Sequence, residues 1–205
     1  MKVLLLNGSP HVHGGTRAAL EEVARTLEEN GIETEILNVG HQSVHGCIAC
    51  YKCKDTGTCV FKDIVADIAP KFEAADGLVV GSPVYYASPA GTLISLLDRL
   101  FYSTHFSKRM KVGAAVATSR RAGSATTFDV INKYFTIAQM PVVSSQYWNE
   151  VHAIDETTLD QDVEGRQTMR VLGRNMAFLL KAIADAKEKY GMPQEEEHVY
   201  TNFLR

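Results

Sequence analysis

The sequence predicts an α/β protein, a three-layer doubly wound five-stranded parallel sheet with strand order 2-1-3-4-5. Three observations carry this expectation. Short continuous apolar runs rich in Val, Ile and Leu recur along the chain, and such runs read as strands buried on both faces. Amphipathic helical patterns lie between them, and that alternation implies βαβ units. A chain of 205 residues, 45% of them hydrophobic, suffices for one domain with a sizeable core.

In chain order, the first strand is expected at 2–7, KVLLLN, where Asn-Gly-Ser-Pro ends the apolar run. A helix over 15–30 follows, closed by Gly31, and then a strand at 34–39. After a segment carrying all four cysteines come a helix at 63–75, a strand at 77–83, a helix at 90–103 and a strand at 112–118. A helix at 124–139 and a strand at 141–147 complete the sheet, and the last helix, 165–190, is terminated by Gly191 and Pro193. There is no repeat, linker or low-complexity segment. The organisation is therefore one domain over 1–193, with a cysteine-rich loop at 47–59, and a C-terminal tail over 194–205. That tail, QEEEHVYTNFLR, is either frayed or packs Tyr200, Phe203 and Leu204 on a neighbouring subunit.

Charge narrows the partners. With 21 basic and 24 acidic residues, a net charge of -3 and no long run of either sign, the chain has no electrostatic footprint for nucleic acid or for an anionic membrane. The apolar run at the start is too short for a signal-peptide core, and no stretch is long enough to span a bilayer. A reducing cytoplasm is the expected location, where clustered thiols are more often metal ligands or redox groups than disulfides.

Ligands of an open parallel sheet bind at the carboxyl ends of its strands, and three loops there look specialised. NGSPHVHGGT, residues 7–16, combines glycines, hydroxyls and the free amides of a helix start, which favour an anion. It lacks both the Gly-Lys-Ser/Thr ending of a triphosphate loop and the GxGxxG of a dinucleotide loop, so a single phosphate without metal remains. SPVYYASPAG, residues 82–91, offers Tyr85 and Tyr86 as flat faces on a path stiffened by Pro83 and Pro89. ATSRRAGSAT, residues 117–126, places Ser119 and Gly123 where a planar polar edge can approach, beside Arg120 and Arg121. Together the loops describe a site for a mononucleotide with a large ring system, and FMN fits that description.

All four cysteines lie in CIACYKCKDTGTC, at spacings of two, two and five intervening residues. Four thiolates can bind one zinc or ligate one [4Fe-4S] cube. The spacing favours a cluster over zinc, while an empty or redox-labile thiol loop is the third reading. Gly46 and Gly57 suit tight wrapping, and Lys52 and Lys54 offset negative charge. His13, His41, His45, His105, His152 and His198 are read as structural or solvated.

The first loop ending in Gly14-Gly15-Thr16, the GSPVYY of residues 81–86, and the helix bearing Asp98-Arg99 resemble the NADPH-dependent FMN reductases of the flavodoxin-like superfamily, and more narrowly the iron-sulfur flavoproteins. The resemblance covers nearly the whole chain. It implies FMN phosphate contacts from Ser9, His11 and Thr16 with the backbone at Gly15, the isoalloxazine ring along Pro83, Val84, Tyr85 and Tyr86, and its pyrimidine edge near Ser119 and Gly123. His11 and Gly15 depart from the family, which often has arginine and asparagine there; His11 brings less positive charge and Gly15 no side-chain contact. The resemblance further implies a [4Fe-4S] cluster on Cys47, Cys50, Cys53 and Cys59, NAD(P)H or a redox protein as donor, a small-molecule or protein acceptor, and a homodimer or homotetramer. Arg120 or Arg121 could meet the 2'-phosphate of NADPH, and Trp148 a pocket rim or interface. No side chain is needed as general acid or nucleophile. A flavin electron carrier and a cysteine-loop redox or metal sensor are the alternatives to an enzyme.

Overall fold

The computed structural model describes residues 1–201. Its parallel strands are β1 (Lys2–Asn7), β2 (Glu33–Asn38), β3 (Gly77–Tyr85), β5 (Val112–Ser119) and β6 (Glu150–His152), side by side in the order β2-β1-β3-β5-β6. This is the expected 2-1-3-4-5 arrangement. A short strand, β4 (Ser88–Pro89), folds back antiparallel on the end of β3. The helices are α1 (Gly15–Glu29), α2 (Cys53–Thr56), α3 (Ile64–Ala74), α4 (Gly91–Ser103), α5 (Ser124–Ile137), α6 (Glu156–Leu159) and α7 (Val163–Tyr190).

Period-two alternation divides the apolar strands between two cores. On β1, Val3 and Leu5 belong to the core that includes Leu20 and Val23 of α1 and Leu172 and Met176 of α7, while Leu4 and Leu6 belong to the one that includes Phe72, Leu93, Leu97 and Phe135 of α3, α4 and α5. All of these side chains are fully buried, which is why the strand reads as one continuous apolar run. Glu22, buried on α1, receives Arg166 and Arg170 of α7 at 3.1 and 2.8 Å and Arg25 at 2.7 Å, clamping the two helices of one layer together.

The fifth parallel strand is displaced from its expected place. Residues 141–147 make only an isolated bridge, Gly113 with Val142, and the ladder resumes at Glu150–His152. Between them Ser145 Oγ donates to the carbonyl of Tyr147, a local bond that competes with strand pairing, and the buried Asn149 donates to the Val143 carbonyl. The chain therefore bulges outward, leaving Tyr147 and Trp148 half exposed and stacked obliquely at 5.0 Å.

After α7, Arg109 holds the start of the tail through Glu195 and the Pro193 carbonyl. Tyr200 is exposed. The expected packing of Phe203 and Leu204 concerns residues outside those described. Among the described residues no helix is long and apolar enough to cross a membrane.

Candidate functional site

Strands β1, β3 and β5 are neighbours, so the loops that follow them converge on one edge, at the point where strand order reverses. The first loop is shaped by Asn7, fully buried, whose Oδ1 accepts from the Ser9 N–H and whose Nδ2 donates to the His11 carbonyl and to Asn38 Oδ1. Ser9 is buried and its Oγ accepts from the His11 N–H, while the His11 side chain is exposed. Backbone presses on backbone here. A Cβ on Gly40 would lie 2.2 Å from the Gly8 carbonyl oxygen, and one on Gly8 would lie 2.5 Å from Leu93 Cδ2.

Helix α1 begins after Gly14 with no side-chain cap and no acidic residue in its first turn. Its free N–H groups and the positive end of its dipole open onto this loop, an arrangement suited to a phosphate. Thr16 is buried in that first turn. Gly15 is pressed against Ala153 and Thr118, where a Cβ would meet them at 2.7 and 3.2 Å. Thr118 Oγ1, at the end of β5, is buried with no hydrogen-bond partner.

The second loop is a two-residue hairpin. Tyr85 pairs with Ser88, and the turn residues Tyr86 and Ala87 have φ of 51° and 56°, a mirror-image turn that usually takes Asn-Gly. Positive φ is uncommon for residues that carry a Cβ, and most of all for one as large as Tyr86. Tyr86 is fully exposed and Tyr85 nearly half so. Ser82 closes the base of the loop by accepting from the Ala90 N–H and donating to the Pro83 carbonyl.

The third loop docks on the second through Gly123. Its φ is +91°, and a Cβ there would lie 2.8 Å from both Ala87 Cα and Val84 Cγ1. Ser119 is buried and engaged on both sides, receiving the Ser124 hydroxyl at 2.8 Å and lying 3.2 Å from His152 Nδ1. Arg120 and Arg121 are exposed, and Arg120 lines a cavity of about 390 Å³ with His152.

The cysteine segment leaves β2 and returns to α3 along α4. Ala49 and Tyr51 take positive φ, and α2 closes on Gly57 at φ +67°. Cys47 and Cys50 are exposed, Cys53 is buried and Cys59 is half-buried; all four are free thiols. They line one cavity of about 20 Å³ with Val60, Phe61 and Arg99. Among the described residues, no three His, Cys, Asp or Glu side chains are drawn together closely enough to hold a metal ion. The donor chemistry nevertheless fits a thiolate-bound centre, since only thiols among these ligand types face that cavity.

Arg99 is the residue whose importance was not legible from its position beside Asp98. Asp98 faces outward and accepts from the Tyr134 hydroxyl, whereas Arg99, 1% exposed, turns in toward the cysteine segment. It forks onto Asp63 at 2.6 and 3.0 Å and donates through Nε to Cys59 Sγ at 3.2 Å. Burial opposes ionisation of Asp63, but donation from Arg99 and the Val65 N–H outweighs it and holds that carboxyl below the usual range. A cavity of about 940 Å³ lies beside this loop, between Tyr51, Tyr102 and Tyr134.

A parallel sheet of this order, with an uncapped helix start, an aromatic hairpin and a polar third loop at its switch point, is of the flavodoxin-like class. The chain belongs to the NADPH-dependent FMN reductase family, whose model matches residues 1–155, and is an FMN-dependent flavoprotein oxidoreductase. It is 35% identical over 191 residues to an iron-sulfur flavoprotein of Methanocaldococcus jannaschii, covering 89% of this chain and 99% of the relative. An iron-sulfur flavoprotein of Methanosarcina thermophila is 29% identical, covering 92% of this chain and all of that one. Among solved structures, RosB with a bound 8-demethyl-8-formylriboflavin-5'-phosphate intermediate superimposes with a TM-score of 0.74 at 15% identity, over all of this chain and 92% of that one. An archaeal flavodoxin superimposes with a TM-score of 0.62 at 16% identity, over 88% and 99%. These two likenesses are of fold.

Proposed function

We propose that this flavoprotein takes electrons from NAD(P)H or a reduced redox protein and delivers them to a small-molecule or protein acceptor by way of a [4Fe-4S] cluster on Cys47, Cys50, Cys53 and Cys59. The observation that carries the reading is the single cavity lined by all four thiols, with Arg99 beside it. The names of the two full-length relatives point the same way. Bound to this chain, FMN supplies hydride acceptance and electron release, and a cluster supplies single-electron transfer.

The protein's part is to hold and to orient. The uncapped start of α1, with Ser9, His11, Gly15 and Thr16, binds the phosphate, helix N–H groups taking the place of a metal ion. Pro83, Val84, Tyr85 and Tyr86 flank the ring, the strained hairpin holding Tyr86 clear of the surface. Ser119 and Gly123 serve the polar edge, where the Ser124–Ser119–His152 chain fixes the Ser119 hydroxyl. The free thiols suit a reducing, cytoplasmic setting, and exposed Tyr102 and Trp148 suit assembly as a homodimer or homotetramer.

Anaerobic purification followed by counts of FMN, iron, zinc and acid-labile sulfide per chain tests this. The expected result is about four irons and four sulfides beside an equivalent of FMN. FMN without iron, under conditions that protect clusters, would reduce the reading to a flavin reductase with a thiol loop.

A further inference from the structure

We infer that Arg99 is the positioning residue of the cysteine loop, holding Cys59 and both ends of the segment in register for cluster assembly and donating an N–H to Cys59 Sγ that raises the potential of the assembled centre. This rests on the cluster reading above.

A guanidinium has five N–H donors, and here every one is placed. Nε donates to Cys59 Sγ at 3.2 Å, Nη1 to Asp63 Oδ2 at 2.6 Å and the His45 carbonyl at 3.1 Å, and Nη2 to Asp63 Oδ1 at 3.0 Å and the Phe61 carbonyl at 3.5 Å. The acceptors come from both sides of the thiol segment, His45 before Cys47 and Phe61 and Asp63 after Cys59. Phe61 lies under the guanidinium at 4.9 Å and stacks on His45 at 4.6 Å, closing the same two ends a second time. Arg99 itself is fixed on α4, whose Leu96, Leu97 and Leu100 are buried in the core, so the loop is referenced to the rigid part of the fold.

Burying a cation is unfavourable unless its donors are met, and Asp63 supplies one negative charge against it. A fork of this kind cannot be reproduced by lysine. The Nε donation to sulfur adds something an ordinary structural ion pair lacks. Hydrogen bonds to ligand sulfurs stabilise the more negative, reduced form of a cluster and so raise its potential.

The test uses the full chain as R99K and D63N, with three readouts: amide hydrogen exchange over 45–63 in cluster-free protein, iron per chain after anaerobic reconstitution, and the midpoint potential of the centre from a reductive titration followed by electron paramagnetic resonance. In R99K, exchange over 45–63 is expected to rise about tenfold or more with an equivalent of FMN retained, iron to fall to about half or less, and any residual centre to titrate at lower potential. D63N keeps the bond to Cys59, so it should loosen the loop while leaving the potential near that of the wild type. Wild-type exchange, iron and potential in R99K would overturn the inference, as would faster exchange with iron and potential unchanged. If R99K does not fold, D63N decides: unchanged exchange refutes the anchoring. If the wild type itself takes up no iron, the cluster reading fails, and exchange alone judges whether Arg99 anchors the loop.

Discussion

The strand-end edge and the cysteine loop are built on opposite plans. At the edge, backbone meets backbone: Gly40 touches the Gly8 carbonyl, Gly123 touches Ala87, and a helix start supplies its own N–H groups. Among the described residues the cysteine segment has no strand partner, and its side-chain hydrogen bonds to the core converge on one arginine on α4. A site made by packed backbone cannot be changed by a methyl group without moving the sheet, whereas a loop whose polar ties converge on one side chain can lose its contents and leave the fold intact. The expected behaviour is therefore a robust flavoprotein with a separable thiol centre.

The strongest way to break that contrast is Gly40→Ala. The added methyl would stand 2.2 Å from the Gly8 oxygen, so overpacking should cost about 3 kcal/mol and reduce FMN retention, read by urea denaturation and by FMN per chain. A G40A protein that keeps both would show the cradle to be pliable.

Glu22→Gln tests the layer behind the cradle. Removing the charge leaves Arg25, Arg166 and Arg170 around a neutral amide, at a cost of about 1.5 kcal/mol, since the arginines are partly exposed and water takes over part of the lost interaction. Burial opposes the ionisation of Glu22, but hydrogen bonds from Arg170 and Arg166 and the charge of Arg25 hold its carboxyl below the usual range. Since the folded value lies below the unfolded one, this contribution is complete above about pH 4.3 and is lost as pH falls through the folded value. Wild-type stability should decline on acidification below about pH 4, and E22Q should decline less steeply in the same denaturation series.

Tyr86→Asn sharpens the account of the hairpin. Asparagine tolerates positive φ, so this variant should be more stable by about 1 kcal/mol while turning over more slowly with NAD(P)H, because the exposed ring is gone. Cys50→Ser should have the smallest effect on stability, within about 0.5 kcal/mol, and should retain FMN, while the proposed cluster would no longer assemble and iron per chain would fall. Loss of FMN from C50S would show that the two regions are not separable.

What was legible in the sequence was what short-range pattern encodes. Strands β1, β3 and β5 announce themselves as apolar runs because both faces are buried, and their loops stand out through glycine, proline and hydroxyl residues adjoining those runs. β6 was not legible: Glu-Val-His has no pattern of its own and is a strand because the Ala117 N–H pairs with the Asn149 carbonyl and the ladder on β5 follows. Gly40 carried no signal either, since its neighbour Gly8 is brought to it by the pairing of β1 with β2.

By itself, then, the sequence determined the layers, the strand order's class, the three loops and the confinement of every thiol to one segment. Those follow from periodicity and composition within a few turns of chain. Only the tertiary structure decided that Arg99 faces Cys59 and not solvent, that Gly123 seats the tyrosine hairpin, and that Ser119 is shared between Ser124 and His152. Each of those is a contact between residues placed together by the packing of whole elements, and a side chain's partner across such a distance is set by the fold's geometry and by the need to satisfy buried polar groups, neither of which a local pattern contains.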